Sequence, residues 1–310
     1  MAAIKVSRLS DEVDFGARVT GVDLKALLDE GVRNELVYIF EKRGVVVFEG
    51  MEPSSELHLA LSEVFGPLEH HALAEDKSVK PEVVNLKQQQ DVVEIDGKLL
   101  AAFLPWHFDA CYNDKLNRAA ILRPIEIPPE GGMTGFADGI QLYKAVSADL
   151  RDKIVDKKVL YHAKLMFMHQ RFGVPKNQRW VSISDKAAEL INKCETSRRS
   201  VHPAVWKRES GECVLHVSPW QAAGIYGHEN AEGDALLEAL CQEIYSKMTP
   251  YWHQWKPTDM VLWDNWRFVH AVSGNDPKYA RHMQRATIRG DYGLGFFEEG
   301  AEGSDPPAMD

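Results

Sequence analysis

The segment His107-Phe108-Asp109 constrains this 310-residue chain more than any other feature, and it is the only His-x-Asp in the sequence. In an extended backbone, residues i and i+2 point to the same side, so the His107 imidazole and the Asp109 carboxylate can converge on one point. A neutral nitrogen and an anionic oxygen are two of the three donors of a 2-His-1-carboxylate site, which leaves three positions open on a ferrous ion. The pattern therefore requires a second histidine elsewhere.

The best second histidine is His270, which follows the aromatic stretch WDNWRF at 263–268. It lies 163 residues after His107, so only a compact fold could bring the two rings together. A chance His-x-Asp is unsurprising in a chain with 12 histidines, since most histidines are surface groups or satisfied core groups. The surrounding sequence has to decide between a metal site and a coincidence.

Composition excludes several classes of function. Hydrophobic residues make up 45% and charged residues 26%, as in ordinary globular enzymes. A net charge of -10 without a basic patch argues against nucleic-acid binding. Four cysteines without a Cys-x-x-Cys pattern argue against zinc-ribbon and redox motifs and suit a reducing compartment. No signal-peptide core and no apolar run of about 18 residues occur. We therefore expect a cytoplasmic protein with neither a nucleic acid nor a membrane as partner.

Short alternating or β-branched segments separated by Gly/Pro turns predict many strands, whereas helical periodicity occurs mainly over 27–42, 139–160 and 234–248. Ligands on separate strands favour a mainly β chain with flanking helices, a double-stranded β-helix or jelly roll, which builds ligand cavities between its sheets. We predict a single domain over 1–310. The polar, aperiodic residues 165–201 are predicted to be an insertion that covers the active site, and the acidic tail from about 298 is predicted to be disordered.

The sequence resembles the taurine / 2,4-dichlorophenoxyacetate dioxygenase family, whose enzymes depend on Fe(II) and 2-oxoglutarate. The resemblance covers about residues 10–292. It rests on four segments: WHFD at 106–109, EGGMT at 130–134, WDN at 263–265 followed by His270, and RHMQRATIRGD at 281–291.

The resemblance implies a role for each matching residue. His107, Asp109 and His270 would bind Fe(II), with 2-oxoglutarate and O2 as cosubstrates. Thr134 and Arg281 would bind the distal carboxylate of 2-oxoglutarate. It also implies a small-molecule substrate and a homo-oligomer, either a dimer or a tetramer.

Four residues are expected to contact the prime substrate. The resemblance places Arg285 beside the iron as a catalytic residue, near both the cosubstrate and the anionic group of the substrate. His71 falls where the taurine enzyme has a histidine that contacts the substrate anion, and Phe103 falls where that enzyme has a polar contact. Tyr112 flanks the metal segment, and further aromatic or apolar residues are expected to cover the pocket: Met166, Phe167 and Trp220.

The implied reaction converts 2-oxoglutarate to succinate and CO2 while the substrate is hydroxylated, and the carboxylate of Asp109 favours hydroxylation over halogenation. Aromatic neighbours favour an apolar carboxylate such as an aryloxyalkanoate, because the ammonium group of taurine would find few polar partners. A sulfonate dioxygenase and a natural-product-tailoring oxygenase of the same family stay open. So do a metal-binding jelly-roll sensor, a cupin-like isomerase and an inactive interaction protein, because fold does not determine function.

Overall fold

The computed structural model describes residues 4–69, 80, 82–87, 91–165, 169–300 and 303–306. In chain order the strands are β1 Lys5–Arg8, β2 Ala17–Thr20, β3 Val45–Glu49, β4 Val83–Lys87, β5 Val92–Ile95, β6 Lys98–His107, β7 Ala119–Glu126, β8 Thr134–Asp138, β9 Lys158–Tyr161, β10 Gln178–Ser182, β11 Ser200–Pro203, β12 Val205–Lys207, β13 Cys213–Leu215, β14 Ala222–Ile225, β15 Tyr251–His253, β16 Met260–Asp264, β17 Phe268–Asn275, β18 His282–Ile288 and β19 Phe296–Phe297. The helices are α1 Glu30–Arg43, α2 Ser55–Glu63, α3 Gly139–Ala145, α4 Ala148–Ile154, α5 Asp185–Cys194 and α6 Ala231–Lys247, and a 3-10 turn spans Ala26–Leu28.

Two large sheets form the centre of the molecule. One has the strand order β1-β2-β3-β16-β7-β18-β4, and the other has the order β10-β5-β6-β17-β8-β15. The central pairs β16–β7, β7–β18, β6–β17 and β17–β8 are all antiparallel. The expected mainly β jelly roll with flanking helices is confirmed.

Large apolar side chains fill the space between the two sheets. Val47 and Val261 come from the seven-stranded sheet, and Phe136 and Phe268 come from the six-stranded sheet, all essentially fully buried in one cluster. Each such side chain contributes about 1.5–3 kcal/mol by leaving water. Two further clusters lie on the outer faces, where α1 and α2 cover the seven-stranded sheet and α3, α4 and α6 cover the six-stranded sheet. The sheets are therefore held rigidly enough to position side chains at one end of the gap between them.

Helix boundaries follow local chemistry, with one departure from expectation. Helix α1 begins where the Asp29 carboxylate accepts a hydrogen bond from the Gly31 amide, and it ends at Gly44 with φ 74°. The helix predicted over 27–42 is confirmed. The continuous helix predicted over 139–160 is wrong, because the chain becomes extended at Val146 and Ser147 between α3 and α4. Strand β9 then uses the apolar residues at the end of that segment.

The polar segment 165–201 contains regular structure that its sequence pattern did not show. Strand β10 pairs with β5 at the edge of the six-stranded sheet, and α5 begins at Ser184, whose hydroxyl accepts from the Ala187 amide. The tail is packed at its described residues, since Glu298 pairs with Arg199 and Ser304 bridges to a neighbouring segment. The single domain stays a prediction. No helix among the described residues is long and apolar enough to cross a bilayer.

Candidate active site

Antiparallel pairing brings the two histidines together. His107 ends β6 and lies directly opposite His270 on β17, with 4.2 Å between the ring centroids. Asp109 Oδ1 lies 3.8 Å from Nε2 of His107 and 3.6 Å from Nε2 of His270. The ligand atoms of all three residues lie within 4.8 Å of one another, so one metal ion could contact them all. The donor set of two imidazoles and one carboxylate matches the chemistry of a ferrous site.

A β-bulge in β6 aims His107. The register passes from His270 opposite His107 to Val272 opposite Leu104, so β6 carries one extra residue between these pairs. Pro105 lies in this bulge, where its missing N–H does not interrupt the ladder. Its carbonyl oxygen lies 2.7 Å from His107 Nδ1. The Nδ1–H therefore donates to this carbonyl, which leaves the Nε2 lone pair facing the other two ligands.

Both imidazoles are neutral near pH 7. The pKa of His270 is lowered to about 3, mainly by burial and then by neighbouring His107, while Asp109 acts in the opposite direction. Burial also lowers the pKa of His107, more strongly than Asp109 raises it. Only the neutral ring can donate its lone pair to a metal, so these histidines need no deprotonation before a metal binds.

Arg285 reaches this cluster from the opposite sheet. It lies on β18, and its Nη1 lies 3.3 Å from Asp109 Oδ2. The side chain of Asp109 is 14% exposed and that of Arg285 is 11% exposed, so the pair is largely shielded from water. The site therefore lies between the two sheets, with its histidines on one sheet and its arginine on the other.

Arg281, just before β18, is buried without an acidic partner. Its Nε donates to the Gly132 carbonyl at 3.0 Å, and Nη2 donates to Thr134 Oγ1 at 3.3 Å. Across the ranges that the model describes, no carboxylate pairs with this guanidinium. Burial lowers the pKa of Arg281 to about 10, so it stays protonated at neutral pH. A buried cation with only neutral acceptors is costly, which indicates that an anionic ligand belongs beside it.

The EGGMT segment builds the turn beneath this arginine. Gly131 and Gly132 have φ values of 74° and 63°, a region that residues with a Cβ rarely adopt. A Cβ on Gly132 would lie 2.7 Å from Pro128 Cγ and 3.2 Å from Arg281 Cδ. These glycines allow the chain to turn tightly and to present the carbonyl that Arg281 contacts.

Thr134 stands ready to donate a hydrogen bond. Its Oγ1 accepts from Arg281 Nη2 and, at 3.1 Å, from the indole N–H of Trp255. A hydroxyl oxygen has two lone pairs and one proton, so two incoming bonds leave the proton for an acceptor. Thr134 and Arg281 thus present adjacent donors to one small region.

These residues border one cavity of about 270 Å³. Its lining includes the site residues together with the aromatic and aliphatic side chains of Leu86, Leu104, Tyr112, Leu122, Ala187, Leu190, Trp220, Trp263 and Val272. Tyr112 and Trp220 both line this cavity, and their contact with the substrate stays a prediction. Trp263 also packs against His270 at a centroid distance of 5.0 Å, as a wall residue.

Phe103, expected to contact the substrate, does not line this cavity, and that contact stays a prediction. Its ring packs against Trp180 at 6.2 Å and is not part of the cavity lining, which takes Ala102 and Leu104 instead. The bulge accounts for this placement, because it shifts the inward-facing positions of β6 from even to odd numbers just before His107. The other expected contacts, His71, Met166 and Phe167, lie outside the described residues.

Several cavity residues were not found from the sequence. Asn85, Lys87, Asp91 and Gln221 line the cavity, as do two residues of α5. Trp255 was missed as well, although it contacts Thr134 directly. None of these positions carries a pattern of its own, since each reaches the cavity only through tertiary packing.

The sequence matches a known protein family over most of its length. A model of the "Taurine catabolism dioxygenase TauD, TfdA family" matches residues 5–287. The chain belongs to this family. It is thus an Fe(II)- and 2-oxoglutarate-dependent dioxygenase, which uses Fe(II), 2-oxoglutarate and O2. Family membership identifies an enzyme rather than a metal-binding sensor or an inactive interaction protein.

The dioxygenase resembles its relatives over nearly their whole length. It is 29% identical over 283 residues to the (S)-phenoxypropionate/alpha-ketoglutarate-dioxygenase of Sphingobium herbicidovorans, covering 90% of this chain and 93% of the relative. It is 26% identical over 294 residues to the alpha-ketoglutarate-dependent 2,4-dichlorophenoxyacetate dioxygenase of Cupriavidus pinatubonensis, covering 89% and 95%. The crystal structure of a taurine dioxygenase from Burkholderia xenovorans superimposes with a TM-score of 0.69 at 25% identity, covering 96% and 97%.

Proposed function

We propose that the dioxygenase hydroxylates an anionic, largely apolar small molecule, with an aryloxyalkanoate-like carboxylate as the favoured class. His107, Asp109 and His270 would hold Fe(II). Thr134 and Arg281 would hold the distal carboxylate of 2-oxoglutarate. The observation that carries the cosubstrate assignment is the buried guanidinium of Arg281, whose hydrogen-bond partners among the described residues are all neutral.

The metal fits the residues present. Two neutral imidazoles and a carboxylate converge from β6, its following turn and β17, and the Nδ1–H of His107 is held by the Pro105 carbonyl. Outer contacts of this kind keep a ligating ring in one tautomer and one orientation. When bound, Fe(II) and 2-oxoglutarate supply the O2 chemistry, in which 2-oxoglutarate becomes succinate and CO2 and the substrate gains an oxygen atom.

The protein's own residues would bind, orient and exclude water. Arg281 and Thr134 would give the distal carboxylate two charge-assisted hydrogen bonds, which are stronger than neutral ones. Arg285 would stay within reach of Asp109 and orient the substrate anion toward the metal. Leu122 and Trp263 line the cavity wall near these groups, where low polarity strengthens each electrostatic contact.

Charge balance in the cavity supports an anionic substrate. The described lining residues include three cations (Lys87, Arg281, Arg285) and two carboxylates (Asp91, Asp109), with Lys87 at the exposed edge. This leaves one net positive charge, since both histidines are neutral. The double charges of Fe(II) and of 2-oxoglutarate cancel each other. A substrate with one negative charge would neutralise the remainder, and a zwitterion such as taurine would not.

The remaining lining supports an apolar body on that substrate. Leu104, Tyr112, Leu190 and Trp220 present mainly carbon to the cavity. An aromatic ring buried among them would gain about 25 cal/mol for each Å² removed from water. Two of the relatives are named for phenoxypropionate and 2,4-dichlorophenoxyacetate. A sulfonate of the taurine type is the second candidate, because a taurine dioxygenase shares the fold at a TM-score of 0.69.

Substrate-stimulated formation of succinate tests this proposal. The enzyme would be supplied with Fe(II), 2-oxoglutarate and O2, and succinate would be measured with phenoxyacetate, with 2-phenoxypropionate and with taurine. We expect an aryloxyalkanoate to stimulate succinate release, with phenol or hydroxylated product formed in step, and taurine to stimulate it far less. Equal or better stimulation by taurine would contradict the proposed substrate class.

The cellular location and the oligomeric state are further proposals. All four cysteines are free thiols, which supports a reducing compartment such as the cytoplasm. A homo-oligomer, dimer or tetramer, is expected from the family resemblance alone. Sedimentation velocity of the purified enzyme would test it, and a concentration-independent monomer would contradict it.

A further inference from the structure

A single buried side chain holds the backbone of Asp109. The Asn265 Oδ1 accepts a hydrogen bond from the Asp109 amide at 2.8 Å, and Asn265 Nδ2 donates to the Asp109 carbonyl at 3.1 Å. Asn265 is fully buried and lies in the turn between β16 and β17, five residues before His270. The carboxylate candidate and the second histidine candidate are thus linked through one short segment.

A neighbouring asparagine fixes the orientation of this amide. Asn265 Nδ2 also donates to the backbone carbonyl of Asn117 at 3.2 Å and to Asn117 Oδ1 at 3.0 Å. Every partner on the Nδ2 side is an acceptor, and the partner on the Oδ1 side is a donor. A flipped amide would place its oxygen against three oxygens, so the assignment of nitrogen and oxygen follows from the contacts.

Asp109 needs an external support because the sheet does not supply one. Strand β6 ends at His107, and Asp109 lies in the turn that follows. The next residue, Ala110, has a φ of 59°, a left-handed conformation that is uncommon outside glycine. The Asn265 side chain takes the place of a neighbouring strand, accepting from the amide and donating to the carbonyl of the same residue.

The backbone of Asn265 also supports the residue between the two ligands. Its carbonyl accepts from His216 Nε2 at 2.9 Å, and the His216 ring stacks on Phe108 at 3.8 Å and 19°. Burial lowers the pKa of His216 to about 3, so it remains a neutral hydrogen-bond donor at neutral pH. Asn265 therefore supports both residues that follow His107 in the motif, Phe108 through His216 and Asp109 directly.

We propose that Asn265 is a positioning residue that sets the direction of the Asp109 carboxylate and so the metal affinity of the site. This inference rests on the proposed metal site of His107, Asp109 and His270. Residues that orient a metal ligand from behind typically contribute about 10–100-fold to metal affinity. The expected effect acts through the position of Asp109 and not through the overall stability of the fold.

The test is a calorimetric titration of the metal-free wild type and N265A with Co(II). We expect N265A to bind Co(II) about 10–100-fold more weakly. The matched control is N117A, which removes the side-chain contact to the Asn265 amide but leaves the Asn117 carbonyl contact and both bonds to Asp109. This variant should lose much less affinity. Circular dichroism and thermal unfolding of the metal-free proteins report whether each variant is folded.

A double-mutant cycle separates positioning from packing. In a D109A background the metal affinity is already low, and N265A should then change it by less than about twofold, because the two effects share one pathway. If N265A is not recovered folded, N265S enters the same cycle with a shorter polar side chain.

Four outcomes overturn specific parts of the account. Unchanged Co(II) affinity in folded N265A, or an equal loss in N117A, contradicts the positioning role. Full additivity of N265A and D109A also contradicts it, since a general packing defect would act in both backgrounds. Failure of the wild type to bind any divalent metal contradicts the proposed function itself, so the two failures are distinguishable.

Discussion

The cavity has two sides that are built differently. On the strand side, His107 on β6 pairs directly with His270 on β17, and Thr134 lies on the adjacent strand β8. Arg281, just before β18, and Arg285, on β18, join them from the opposite sheet. On the covering side, the lining residues belong to segments outside the two large sheets: Ala187 and Leu190 of α5 and the loop residue Trp220. Positions within a ladder are set by hydrogen bonds, whereas positions on excursions depend on how those segments pack. The chemistry is therefore expected to be robust, and substrate choice is expected to be easily changed.

Loss of a histidine on the strand side should have the largest effect. We expect H107A or H270A to abolish turnover, since two remaining ligands would not hold Fe(II) tightly. Iron content and succinate formation would be measured together. H228A is the matched control, because His228 is exposed, contacts Lys157 and does not line the cavity. Full activity in H107A or H270A would refute the metal assignment.

Loss of Arg281, which pairs with no carboxylate of the described segments, should weaken cosubstrate binding without unfolding the protein. We expect R281M to lower 2-oxoglutarate affinity by about 1.5–3 kcal/mol, or about 10–100-fold, while iron content is retained. The affinity would be measured by anaerobic titration. An unchanged affinity would mean that another basic group holds the distal carboxylate.

Arg267 provides the contrasting case on the same strand framework. It forms two bonds with the Asp138 carboxylate, at 2.8 Å and 2.7 Å, and both residues are buried. R267M would leave Asp138 buried and unpaired, so the free energy of unfolding should fall by about 3–5 kcal/mol. R281M should destabilise the cosubstrate-free protein far less than R267M does, and equal losses in chemical unfolding would contradict this distinction.

The strand side was largely predictable from the sequence. The spacing of His107 and Asp109 indicated a shared face, and the need for a second histidine pointed to His270. The family resemblance supplied Thr134, Arg281 and Arg285. The structure brings these residues to one cavity. Phe103 shows the limit of prediction from sequence. A one-residue bulge at Pro105 reverses which side chains of β6 face inward, and no local sequence pattern indicates this bulge.

The covering side was not predictable in the same way. Segment 165–201 was predicted to be an insertion that covers the active site, but its polar sequence did not indicate helix α5. The apolar residues Ala187 and Leu190 of α5 reach the cavity only after the chain folds. The break between α3 and α4 was missed for a related reason, since helical spacing continued across Val146 and Ser147. Contacts such as Asn265 with Asp109 join residues 156 apart and leave no periodic trace.

A smaller effect concerns acid stability of the sheet framework. His58 lies on α2 and contacts the Ile121 carbonyl of β7, and burial lowers its pKa to about 4. Below about pH 6.5 the unfolded chain takes up a proton there that the folded protein does not, so stability is lost as the pH falls from about 6.5 toward 4 and is fully present above 6.5. H58Q should reduce the slope of unfolding free energy against pH by up to about 1.4 kcal/mol per pH unit. An unchanged slope in H58Q would show that His58 is protonated in the folded state.

The smallest effect is expected on the covering side. Leu190 on α5 is partly exposed and lines the cavity, so L190A should raise the KM for an aryloxyalkanoate several-fold, corresponding to about 1 kcal/mol of lost apolar contact. The KM for 2-oxoglutarate and the iron content should stay as in the wild type. A shift in 2-oxoglutarate KM equal to the shift for the prime substrate would mean that the two sides are not separable.

Anaerobic titration of the metal-free protein with Fe(II) and then 2-oxoglutarate, without any prime substrate, tests the division most directly. Chelation of Fe(II) by 2-oxoglutarate gives a visible charge-transfer absorption, which would be compared in the wild type, L190A and H270A. The two-sided account predicts the same absorption and the same 2-oxoglutarate affinity in the wild type and L190A, and no absorption in H270A. Absorption in H270A equal to the wild type, or its loss in L190A, would contradict the claim that the strand side alone forms the iron and cosubstrate site.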